Sequence, residues 1–116
     1  MALTIPPFPV TIAAGQSLSP EIDLGQWTLV GIWMPAGWTA AGLSFQTSLD
    51  GGATWLEHTT SAGTATLFNV AAGQYVAVDP ALFRGVNALK LRSGTLGTPV
   101  AQVSNATINL IARTVL

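Results

Sequence analysis

The chain has 116 residues, room for one domain and too few for a second, since compact domains most often hold roughly 100 to 150 residues. Apolar residues make up 49% of it and charged residues only 8%, against roughly 25% charged in ordinary soluble domains, so apolar surface must remain outside the core and stable association is expected. A formal net charge of -1 leaves no basic field to attract nucleic acid, and with no cysteine the chain has no disulfide, no thiolate chemistry and few routes to structural zinc.

Residues 1–9 read as an extended N-terminal arm. Pro6, Pro7 and Pro9 fix φ and withhold backbone donors, so the segment, Phe8 included, either reaches a neighbouring subunit or frays. It has no cationic segment and no long apolar run, which argues against a signal peptide or a membrane helix. Residues 10–116 read as a single β-sandwich domain. Short β-type runs separated by Gly, Pro, Asn and Ser recur at the spacing of a sandwich or barrel. They predict an all-β, antiparallel fold with strands over 10–13, 16–24, 27–34, 42–48, 54–59, 64–70, 74–79, 87–93 and 105–115.

The run over 27–36 is too short to span a bilayer, ends at Pro35 and reads as a buried strand, which makes Trp27 and Trp33 core candidates together with Trp55. In the next strand Leu43, Phe45 and Thr47 alternate with Ser44, Gln46 and Ser48, the period of a half-buried strand. Between these two strands Trp38 sits in a turn-rich loop, Pro35-Ala36-Gly37-Trp38. Its indole either stacks on a sugar or a neighbouring subunit, or folds back over the end of the sandwich.

Ser48-Leu49-Asp50-Gly51-Gly52-Ala53-Thr54-Trp55 marks a β-hairpin. Asp50 can accept from the turn amides, the glycines tolerate positive φ, and Thr54 and Trp55 restart the ladder. Further on, Asp79 can cap free amides, Pro80 suits a first helical position and Gly85 can end a helix, so residues 79–85 predict a single helical turn. In the last strand Ile108, Leu110 and Ala112 share one face, and Thr107, Asn109, Ile111 and Arg113 the other, which predicts a place in the middle of a sheet.

Catalytic chemistry finds little to work with. His58 is the only histidine, is read as a surface residue, and alternates with Glu57 to opposite strand faces, so the two make no ready acid–base pair. Glu21 and Asp23 share a face, but two acids alone fall short of the six to eight oxygens calcium takes. No enzyme activity, cofactor or metal is expected. Lys90 and Arg92 share a strand face, either solvated or facing an acidic partner.

The Ser48–Trp55 octet resembles the Asp-box, Ser-x-Asp-x-Gly-x-Thr-Trp, a hairpin-stabilising element of sialidase-type propellers and many unrelated β-domains, and Ser48, Asp50, Gly52, Thr54 and Trp55 match every fixed position. The resemblance implies a structural role. The succession of residues 27–34, 43–52, Trp55, 74–78 and 89–92 resembles a galactose-binding or discoidin-like jelly roll, which implies a sandwich of eight or nine short strands and a carbohydrate ligand.

Met34-Pro35-Ala36-Gly37-Trp38-Thr39-Ala40-Ala41, the Asp-Gly-Gly hairpin, Asp79-Pro80-Ala81-Leu82-Phe83, Leu91-Arg92-Ser93-Gly94-Thr95 and Pro99-Val100-Ala101-Gln102 resemble small virion structural proteins of tailed bacteriophages. That resemblance implies a capsid-decoration (cement) or head-fibre role: made in the host cytoplasm, located on the capsid surface, and bound to the major capsid protein or another virion component. A homo-oligomer is expected, a trimer before others because capsid lattices offer threefold positions. Nucleic acid and membrane are not expected partners. Contact candidates are Pro6, Pro7, Phe8, Trp38, Lys90 and Arg92.

Overall fold

In the computed structural model, which describes residues 7–114, the period-two runs form two antiparallel four-stranded sheets. Pro6, the residues before it and the end of the expected last strand at Val115 lie outside the described residues. The strands are β1 (Phe8–Ile12), β2 (Ile22–Asp23), β3 (Thr28–Trp33), β4 (Leu43–Ser48), β5 (Leu56–Glu57), β6 (Tyr75–Ala77), β7 (Ala88–Ser93) and β8 (Ala106–Arg113).

The sheet orders are β1-β8-β3-β6 and β2-β7-β4-β5. The pairs β4–β5, β3–β6, β2–β7 and β1–β8 nest about one hairpin, like a two-stranded ribbon whose successive segments fall alternately into one sheet and the other. The fold is an all-β sandwich, as the spacing of the runs predicts.

The core lies between the sheets. Val10 and Ile12, Leu29 and Ile32, and Ile108 and Leu110 line the first sheet, facing Leu43, Phe45, Leu89 and Leu91 of the second. β8 runs between β1 and β3, with Ala106, Ile108, Leu110 and Ala112 inward and its other residues outward, as its alternation predicts. The turn after Asp79 is a 3-10 helix, Pro80–Leu82, whose Asp79 carboxylate accepts from the Ala81 amide at 3.0 Å. It presents Phe83 to the core, edge-on to Phe45 at 5.1 Å.

Of the predicted strands, 16–24 and 54–59 each shrink to two regular residues and 64–70 forms none. Residues 17–24 run beside β7, but Pro20 brings no N–H, and the Ser19 hydroxyl takes the Leu91 amide in place of a carbonyl (2.9 Å). The regular ladder shrinks to Ile22–Asp23. Residues 64–70 touch the second sheet through a single bridge, Leu43↔Phe68, and pair with the segment after β5 through another, Thr59↔Ala65.

One irregularity reassigns a tryptophan. Strict alternation from buried Leu29 would put Trp33 in the core, but the β3–β8 register shifts between Leu29 and Gly31, a β-bulge at Val30. From there Ile32 faces the core, and Trp33, opposite Asn109, faces outward with 60% of its surface exposed. The core expectation for Trp33 is corrected by that one extra residue.

Candidate binding surfaces

The octet Ser48–Trp55 folds as its matched positions require. The Ser48 hydroxyl donates to Asp50 Oδ1 at 2.8 Å and accepts from the Gly52 amide at 3.0 Å. The same Asp50 oxygen accepts from the Thr54 amide at 2.8 Å, and the Trp55 indole N–H donates to the Gly52 carbonyl at 3.0 Å. Gly51 and Gly52 have φ of 73° and 96°, where an L side chain would be strained. Hydrogen bonds from Thr54 and Ser48 hold the Asp50 carboxyl at a pKa of about 2, below its ordinary 3.8.

Leu49 of this locked turn and Leu56, the first residue of β5, both stand outward. Leu49 is 92% exposed and Leu56 66%, and with Thr47, Asp50 and Thr54 they line a shallow cavity of about 350 Å³.

The outer face of the first sheet carries an aromatic pair. Trp33 and Tyr75 are cross-strand partners with ring centroids 6.4 Å apart at 67°, and Tyr75 is 53% exposed. Gly31 makes this arrangement possible: a Cβ there would lie 1.9 Å from Tyr75 Oη, so the phenol lies over the glycine backbone. On the other side of Trp33, a cavity of about 220 Å³ is lined by Pro7, Trp33, Asn109 and Ile111.

Most of the predicted contact residues are engaged within the fold. Trp38 is buried, 6% exposed, and its indole N–H donates to the Ala41 carbonyl at 3.1 Å, so it closes the end of the sandwich and is not an exposed platform. Phe8 pairs in β1 and meets Trp27 edge-on at 5.6 Å, which leaves Trp27 half-buried against the core. Trp55, expected in the core, is half-buried beneath Lys90, whose ammonium stands 4.5 Å from its ring. Of the residues expected in the arm, Pro7 does border the aromatic face.

Arg92 departs furthest from its reading as a surface cation. It is 5% exposed, forms a two-pronged ion pair with Glu57 and donates to the Ser44 hydroxyl at 3.2 Å. His58 is half-buried and not a free surface residue: Nε2 donates to the Leu82 carbonyl at 2.6 Å, Nδ1 meets the Thr66 hydroxyl at 2.7 Å, and the ring stacks on Phe83 at 4.7 Å. Glu57 and His58 do point to opposite faces. Glu21 and Asp23 border a cavity of about 430 Å³ with Ser48 and Asn87, and Asp23 accepts from the Gly25 amide at 2.7 Å.

Comparison with family models, curated proteins and solved structures finds no match. Function must therefore be argued from these surfaces. Sequence reasoning missed Trp33, Tyr75, Leu49 and Leu56 as exposed groups. Only Leu49 carried a usable signal, as a variable position within a turn motif whose other side chains are committed to the turn.

Proposed function

We propose that this chain is a non-enzymatic association module of a virion: a jelly-roll capsid-decoration (cement) or head-fibre protein bound to the major capsid protein or another structural component. The nested strand pairing supports the jelly-roll reading, since rolling a two-stranded ribbon into two sheets produces this order. The observation that carries the docking reading is the exposed pair of Leu49, on a turn fixed by its own hydrogen bonds, and Leu56, at the start of the strand that follows it. Burying an exposed leucine contributes about 1.5–3 kcal/mol, and a turn already ordered loses little entropy on docking. The low charge supports association between copies, with a trimer as the form a threefold lattice position accepts.

The test is co-sedimentation of the purified chain with capsids from its source. Wild type is expected to sediment with them and the double variant Leu49→Asp/Leu56→Asp to stay in the supernatant. Equal sedimentation of the two would reject this docking surface.

The second reading, a carbohydrate-binding module for host-surface glycans, is favoured by one observation. The Trp33–Tyr75 pair stands exposed on ordered strands with the Asn109 side chain beside it.

A further inference from the structure

We infer that the concavity between Trp33, Asn109, Ile111 and Pro7 on the outer face of the first sheet is a binding site for a single neutral hexopyranose ring. The inference deepens the carbohydrate reading and does not depend on the virion setting.

The site is built from ordered backbone. Trp33 lies on β3 between β8 and β6, so hydrogen-bonded neighbours on both sides fix its position. Tyr75 supports the indole from the β6 side, and Gly31 is the residue that lets the phenol lie there. The indole therefore presents its other side to the cavity, where Asn109 is its direct cross-strand partner.

Size and chemistry narrow the occupant. The cavity holds about 220 Å³, below the roughly 300 Å³ at which pockets for drug-sized ligands begin, which suits a one-ring ligand. With Trp33 60% and Tyr75 53% exposed, the two rings offer on the order of 300 Å² of surface.

None of the four lining residues is charged, so the cavity wall favours a neutral ligand; Arg113 shares the outer face of β8 two residues beyond Ile111 but does not line the cavity. A purely apolar ring would strip water from the Asn109 amide and return no hydrogen bond. A pyranose meets both requirements. Its C–H face covers the indole and Ile111, and its hydroxyls both give to and accept from the Asn109 amide.

The experiment follows the indole N–H resonances of the ¹⁵N-labelled full chain during titration with the methyl glycosides of glucose, galactose and mannose, and with N-acetylglucosamine. At least one sugar is expected to move the Trp33 indole resonance saturably, that peak being the one missing from Trp33→Phe. Trp33→Ala is expected to abolish binding with the melting temperature retained, because Trp33 lies outside the core cluster. Asn109→Ala is expected to weaken binding about tenfold.

A sugar that shifts only the indoles of Trp27, Trp38 or Trp55 would overturn this site and leave the carbohydrate reading standing. No response to any of the sugars would overturn both. A Trp33 peak that moves on dilution, and not with sugar, would identify the face as a contact between copies and reject the proposal.

Discussion

Asp50 is exposed, yet its carboxylate organises the hairpin by accepting from the Ser48 hydroxyl and the Thr54 amide. Its folded pKa of about 2 lies below the ordinary 3.8. A depressed carboxyl stabilises the fold fully above the unfolded value and loses that contribution as pH falls through the folded one. The contribution should therefore be complete above about pH 4 and fade toward pH 2. Thermal melts across that window are expected to show a steeper drop in wild type than in Asp50→Ala. Parallel drops would mean the carboxylate does not hold the turn. This turn was legible in the sequence because all its partners lie within one octet. Trp33 was not, because its orientation depends on a bulge defined by pairing with β8, far along the chain.

The partly formed strands follow the same distinction between local and distant causes. β8 was legible because its alternating residues meet β1 on one side and β3 on the other, whereas β4, whose alternation predicts a wet face, has Ser44 and Ser48 buried and only two residues paired with β5, and residues 16–24 lose their ladder at Pro20. Arg92 read as a surface cation because alternation gives the face but not what covers it. Here Glu57 of β5 lies on one side and the bridge to Leu18 on the other. Removing one partner of such a pair leaves a buried charge, so Glu57→Ala is expected to lose about 3 kcal/mol in urea unfolding. The double variant Glu57→Leu/Arg92→Met is expected to lose less than Glu57→Ala alone. A double loss as large as the sum of the two single losses would show that the groups are not coupled.

Gln102 has the same role at the opposite end of the molecule from the Asp-box turn. It is fully buried; its Oε1 accepts from the Thr39 amide at 2.8 Å, and its Nε2 donates to the Thr39 carbonyl at 3.1 Å and the Ser93 hydroxyl at 2.7 Å. It thereby ties the loop of buried Trp38 to β7. Gln102→Ala orphans these groups and is expected to cost about 2–4 kcal/mol. Unchanged unfolding would show that water replaces the side chain.

At the scale of the whole molecule, few charges and many apolar residues predict surface held for partners, and the fold exposes apolar side chains at several places, Leu67, Leu96 and Val103 as well as the hairpin leucines and the Trp33–Tyr75 pair. The hairpin leucines and the aromatic face lie on different elements, so their losses are expected to be separable. Leu49→Asp/Leu56→Asp should abolish capsid binding with the Trp33 indole environment unchanged by NMR. Coupled loss of both would point to one composite surface. Fold class was legible from spacing alone, but the choice of partner was not, because recognition depends on which apolar side chains the register leaves outside.

The most direct measurement is the number of copies of this chain per purified virus particle from its source, by quantitative peptide mass spectrometry against the major capsid protein. Copies in a fixed ratio to the capsid subunits, retained through particle purification, are expected of a decoration or fibre protein. Particles that lack the chain would contradict the virion reading.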